Sequence, residues 1–118
     1  MEKIVRQSLL YDFYGELLTE HQKKIYEDVV MNDMSYSELA DIYGISRQGI
    51  YDMIKRCDRI LEGYEDKLKL VEKFVYAKGK ISDIKISIDK IKCENKDSNP
   101  NGYLSEIEKD IAELLEIF

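Results

Sequence analysis

The chain has 118 residues, 44% apolar and 36% charged, which suffices for one modest core in a single domain or in a domain with an extension. Eighteen basic against twenty-four acidic side chains give a net charge of −6, a balance that opposes non-specific attraction to polyanions. No apolar run approaches the roughly 20 residues of a bilayer span, and the first residues, with Glu2 and Asp12, lack a cleavable signal pattern, so the expectation is a cytoplasmic protein without membrane insertion.

Ile4, Val5, Leu9, Leu10, Phe13 and Leu17 recur at three- and four-residue spacing and predict an amphipathic helix over 2–17, ending near Gly15 or Leu18. Thr19 with Gln22 has the capping-box spacing and opens a second helix carrying Ile25, Tyr26, Val29, Val30 and Met31. Asn32, Asp33 and Met34 lead to Ser35, which with Glu38 repeats the capping-box spacing and starts a helix near Tyr36. Leu39, Ala40 and Tyr43 share one face of it, with small Ala40 where another helix must come close. Gly44 supplies a left-handed residue at the helix end, Ile45 is expected to plug the corner, and Ser46 to cap the next helix. Ile50, Met53 and Ile54 continue the apolar face. Two helices joined by a short turn containing glycine make a helix-turn-helix over 35–56, with Leu39, Ala40, Tyr43, Gly44, Ile45, Ile50 and Met53 as its core.

The same register turns Arg47, Gln48, Tyr51, Asp52 and Lys55 outward, the first two in the N-terminal turn that meets base edges in this motif. Arginine and glutamine can pair with guanine and adenine edges. Ser46, Arg47, Gln48, Tyr51, Asp52, Lys55, Arg56 and Arg59 are therefore the candidate nucleic-acid-binding residues, with Arg47 and Gln48 reading bases and Lys55, Arg56 and Arg59 holding phosphates. Charge is distributed to match. Residues 1–44 hold four basic and nine acidic groups, residues 62–118 ten and thirteen, and the stretch 45–61 alone is positive, with four and two.

Downstream, good helix formers predict that the recognition helix continues from 47 to about 77, through Leu61, Tyr64, Leu68, Val71 and Val75, until Gly79. That apolar stripe needs a partner. Ile81, Ile84, Ile88 and Ile91 predict a further helix with a narrow isoleucine seam, residues 94–103 a polar loop around the single proline, and Ser105 with Glu108 the cap of a last helix bearing Ile107, Ile111, Leu114, Leu115 and Phe118. The expected organisation is a helix-turn-helix core domain over 1–60 and a helical extension over 61–118. The extension either folds back as an intramolecular hairpin or forms a homodimer, which is favoured because a single helix-turn-helix gains by presenting two recognition helices to two half-sites.

Nine tyrosines sit mostly at helical intervals from aliphatic residues, which predicts rings in the core with hydroxyls at the rim; Tyr51 is the exception. Catalysis finds little support. His21 is the single histidine and reads as a surface residue, while Cys57 and Cys93 lack the spacing of a zinc site or a disulfide framework. Paired carboxylates such as Glu65 and Asp66 read as solvated helix-surface charge. A non-enzymatic protein without metal or cofactor is expected.

The motif resembles region 4 of bacterial sigma factors, and the chain is similar to the YlxM family of small bacterial helix-turn-helix proteins. The resemblance rests on Leu39, Ala40, Tyr43, Gly44, Ile45 and Ser46, on Arg47-Gln48-Gly49-Ile50-Tyr51-Asp52 and Ile54-Lys55-Arg56, and on Leu61, Glu62, Tyr64, Glu65 and Lys67-Leu68. It spans about the first 75 residues well. It implies an all-α, sigma-region-4-like fold with a long recognition helix, and a regulatory role in the signal recognition particle pathway, whose genes or components would be the target. Gly49 departs from the alanine expected there, which costs the recognition helix about 1 kcal/mol. Two functional readings remain open: a regulator that binds DNA, and an adaptor that uses the same scaffold to engage a protein or ribonucleoprotein partner.

Overall fold

Helix starts and stops in this chain are written largely in its caps. The Thr19 hydroxyl accepts from the Gln22 amide at 3.2 Å while the Gln22 side-chain carbonyl accepts from the Thr19 amide at 3.0 Å, a complete capping box. Ser35 Oγ accepts from the Glu38 amide at 3.1 Å, and Ser46 Oγ from the Gly49 amide at 2.9 Å. The reciprocal half expected at Ser35 is not made, because the Glu38 carboxylate accepts the Ser35 hydroxyl proton instead. Gly44 closes the helix before the turn at φ +67°, where a side chain would be strained.

The computed structural model describes residues 1–94 and 103–117, and the elements these caps delimit are α1 (Lys3–Tyr14), a 3₁₀ turn (Gly15–Leu17), α2 (Glu20–Val30), α3 (Tyr36–Tyr43), α4 (Arg47–Leu68), α5 (Leu70–Glu94) and α6 (Tyr103–Ile117). The fold is all-α, with no strand among the described residues. The chain divides into two compact units, Met1–Val71 and Glu72–Phe118. The first reaches past the expected boundary at 60, since Leu61, Glu65 and Val71 close its core. Most of the polar loop expected at 94–103 lies outside the described residues.

In the first unit α4 packs against α1, α2 and α3. Its Ile50, Ile54, Cys57 and Leu61, at helical spacing, are buried among Leu10, Tyr14, Leu18, Ile25, Tyr26, Val30 and Leu39. Beside this apolar row runs an acidic one. Asp58 accepts from Tyr26 at 2.7 Å and Gln7 at 3.0 Å; Glu62 holds the Arg6 guanidinium through two contacts of 2.6 and 2.7 Å; Glu65, 4% exposed, accepts from the Tyr14 hydroxyl at 2.6 Å. Positions 58, 62 and 65 share a helix face, so one stripe of α4 is stitched to α1 and α2 by charge-assisted hydrogen bonds. Burial first, then the carboxylate partner, pushes Tyr26 and Tyr14 above the ordinary phenol range. Burial likewise pushes the Cys57 thiol up to about 11, so it stays protonated at neutral pH.

Glu65 and Tyr14 also end α4. Lys69 takes a left-handed conformation at φ 58°; the Leu70 amide then donates to the Tyr14 hydroxyl at 3.1 Å and the Val71 amide to Glu65 at 2.9 Å. This corrects the expected continuous helix to residue 77. The stripe thought to need an outside partner is accordingly shared out. Leu61 and Val71 are buried in this core and Tyr64 packs on it, whereas Leu68 and Val75 are exposed.

Three further expectations need correction. Ile45 does not plug the corner: it is 40% exposed, with its Cδ1 beside the first turn of α4, and Leu39 and Ile50, both at 0%, fill the corner instead. Gly79 does not interrupt α5, since one interior glycine costs only about 1 kcal/mol against the strong formers around it. Ser105 lies inside α6, not at its cap, and Glu108 pairs with Lys92 at 3.0 Å within the second unit. Of the isoleucine seam, Ile88 is buried, as is Ile111 on α6, while Ile84 and Ile91 are exposed.

Three stability measurements follow from this packing. In denaturant melts Leu39→Asp should unfold the domain or cost more than about 4 kcal/mol, because it places a charge at a fully buried site, whereas Ile45→Asp should cost no more than about 1.5 kcal/mol. Equal effects would reverse the assignment of the corner. Tyr14→Phe, which strips a partner from both Glu65 and the Leu70 amide, should lower stability by about 1 to 3 kcal/mol; a neutral result would show that α4 ends without that hydroxyl. The Arg6 hydrogen bond holds the Glu62 carboxyl below its ordinary value, about 4.3 in the unfolded chain. This stabilisation is complete above that value and is lost as pH falls through the lower folded one. Between about pH 6 and about pH 3 the melting temperature of Glu62→Gln should therefore fall less than that of the parent.

Candidate nucleic-acid interface

The turn after Gly44 and the Ser46 cap set the rotation of α4, and that rotation sorts its side chains. Ile50, Ile54, Cys57 and Leu61 go inward and Met53 is half-buried against them; Arg47, Gln48, Tyr51, Asp52, Arg56 and Arg59 are exposed, and Lys55 is half-buried. Ser46 itself is used as the cap, its hydroxyl engaged by the Gly49 amide. A methyl group at residue 49 would stand 3.2 Å from that capping oxygen, a close contact that glycine avoids. On α3, Leu39 is fully buried while Ala40 and Tyr43 are half-buried, and the Tyr43 hydroxyl is enclosed without a hydrogen-bond partner.

Charge on the exposed face is left uncompensated. Among the described residues Arg47, Lys55, Arg56 and Arg59 enter no ion pair, whereas Arg6 pairs with Glu62, Lys23 with Glu16 and Glu20, and Lys92 with Glu108. Of the two acids within 45–61, Asp58 is engaged by Tyr26 and Gln7, which leaves Asp52 on the outer side. Asp52 accepts a hydrogen bond from Gln48 Nε2 at 2.9 Å, one turn earlier.

Two features of this face escaped the sequence. Tyr36, at the start of α3, meets Tyr51 edge to face at 6.0 Å, and the Lys55 ammonium lies 5.4 Å from the Tyr51 ring centroid. Tyr36, Arg47, Gln48 and Tyr51 line a shallow groove of about 590 Å³. A second groove of about 330 Å³ runs between the start of α2 and α4, lined by Thr19, His21, Gln22, Gly49, Asp52, Met53 and Arg56. No i,i+4 rule links Tyr36 to Tyr51, since they lie on different helices. The Gln48–Asp52 bond could have been found from its spacing. His21 is exposed, edge-on to the Tyr43 ring at 5.7 Å, and no cluster of three metal-ligating side chains occurs among the described residues. No helix among them is long and apolar enough to cross a membrane.

Comparison with known proteins places this architecture. Residues 1–100 match the family model described as "Putative helix-turn-helix protein, YlxM / p13 like", UPF0122. A UPF0122 protein of a Thermoanaerobacter species (strain X514) is 41% identical over 107 residues, covering 91% of this chain and 92% of its own. The UPF0122 protein of Acetivibrio thermocellus is 39% identical over 116 residues, 98% of this chain and 99% of its own, and that of Caldanaerobacter subterraneus 51% identical over 78 residues, 66% and 67%. With its Gly44 turn, its Ser46 cap and this match over most of its length, the chain belongs to the UPF0122 family of YlxM/p13-like helix-turn-helix proteins.

Proposed function

We propose that the protein is a non-enzymatic regulator that binds duplex DNA with α4 as its recognition helix. The observation that carries this reading is the outer face of α4, where Arg47, Lys55, Arg56 and Arg59 stand without ion-pair partners among the described residues while the nearby Asp58 is engaged inward. In this motif the N-terminal turn of the second helix meets base edges. Arg47 and Gln48 occupy that turn; Arg56 and Arg59 lie further along, with Lys55, where they can meet phosphates. Four cations on a chain of net charge −6 give modest, salt-sensitive affinity, and a homodimer presenting two copies of α4 to two half-sites supplies the remainder. The signal recognition particle pathway is the regulated target that the family resemblance suggests.

Fluorescence anisotropy with mixed duplexes over a range of salt tests the proposal. Three phosphate contacts per protomer, from Lys55, Arg56 and Arg59, give a log K against log salt slope of roughly −3. Arg59→Ala should weaken specific and random duplexes alike, whereas Arg47→Ala should cost about 1 to 3 kcal/mol at the preferred site and little on random duplex. Absence of binding even at low salt would transfer α4 to the second reading, an adaptor whose acidic surface engages a protein or ribonucleoprotein.

A further inference from the structure

We infer that Asp52, acting with Gln48, determines base specificity, and that the pair selects a cytosine next to the guanine taken by Arg47. The inference rests on the reading of α4 as a DNA-binding helix. A free glutamine pairs with adenine by presenting its N–H and its carbonyl oxygen together to N6 and N7. Gln48 is not free: its amide nitrogen is turned to Asp52 Oδ1 at 2.9 Å, which leaves Oε1 as the end directed away from the carboxylate. An ionised carboxylate offers about four lone-pair sites and no donor, so Asp52 keeps accepting capacity beyond the bond to Gln48. The two side chains together therefore present acceptors and one negative charge to the groove.

The major-groove edges of the four bases answer that surface differently. Guanine shows two acceptors and thymine an acceptor and a methyl group, both mismatched to a carboxylate; adenine places its N7 acceptor beside its amino group; cytosine shows an amino donor alone. Cytosine is the base that fits. Arg47, one residue before Gln48 and bearing donors only, matches guanine. Charge supports the same assignment, because Asp52 is the acid left on the outer side of a face otherwise carrying Arg47, Lys55, Arg56 and Arg59. Among phosphates it is repelled unless a base donor engages it.

The test selects duplexes from a randomised library with the full-length protein at low salt, then measures anisotropy on the selected site and its single-base-pair variants. The parent should select a cytosine beside a guanine and lose roughly tenfold when that cytosine is replaced. Asp52→Ala frees Gln48, so the preference at that position should move to adenine, while affinity for random duplex rises or stays level. The double variant Gln48→Ala, Asp52→Ala should keep the guanine preference and lose discrimination at the neighbouring position. Circular dichroism melts should leave all three proteins folded alike, since both side chains are exposed. A parent that selects a site while Asp52→Ala selects the same one overturns this inference and leaves DNA binding standing. A parent that binds no duplex overturns both.

Discussion

One helix has to serve two solvents at once, and most of this molecule follows from that constraint. The inner row of α4, Ile50, Ile54, Cys57 and Leu61, is withdrawn from water, and a parallel row of carboxylates, Asp58, Glu62 and Glu65, is engaged by α1 and α2. Glu65 reads as solvated surface charge in the sequence, but it is buried, and each of the three acids meets a donor supplied from elsewhere in the chain: Tyr26 and Gln7, Arg6, and Tyr14. With rotation fixed on that side, the outer residues of α4 have no freedom in where they stand. Within 45–61 the arginines of the helix are presented outward, and of its two acids only Asp52 joins them.

How much of this could be read from sequence depended on how far the deciding contact lay along the chain. Thr19, Ser35, Gly44 and Ser46 were legible because a cap is made by residues three apart or by one backbone conformation. The inward register of α4 was legible from periodicity, and with it the outward position of Arg47, Gln48 and Tyr51. The end of α4 was not. Leu68, Lys69 and Leu70 are ordinary helix formers, and the groups that stop the helix there include a tyrosine hydroxyl 56 residues earlier than the amide it receives. Periodicity cannot see such a partner.

Other misreadings have equally local physical causes. Ile45 sits in a turn, where the spacing of apolar residues no longer fixes which side they face, and Leu39 with Ile50 already fills the corner. Ser105 and Glu108 have capping spacing but stand inside a helix that begins at Tyr103, where a glutamate three residues on is free to pair with Lys92. Tyr36 joined the candidate interface unannounced because its neighbour there, Tyr51, comes from the next helix. Membership of the UPF0122 family fits the features that were legible, which lie mainly in the helix-turn-helix and the helices before it.

The two hydrogen bonds beyond Lys69 also tie together the opening motions of distant parts of the chain. A helix near a chain terminus normally frays first, and amides at a helix start normally exchange with solvent readily. Here the Leu70 and Val71 amides are held by Tyr14 of α1 and by Glu65, which Tyr14 itself engages. Undocking of α1 takes the Tyr14 hydroxyl from the Leu70 amide and from Glu65, which holds the Val71 amide, so exchange at Leu70 should follow the opening of the N-terminal helix. Leu70, Val71 and the first helix of the chain are thus tied within one compact unit, although the sequence between them holds the whole helix-turn-helix.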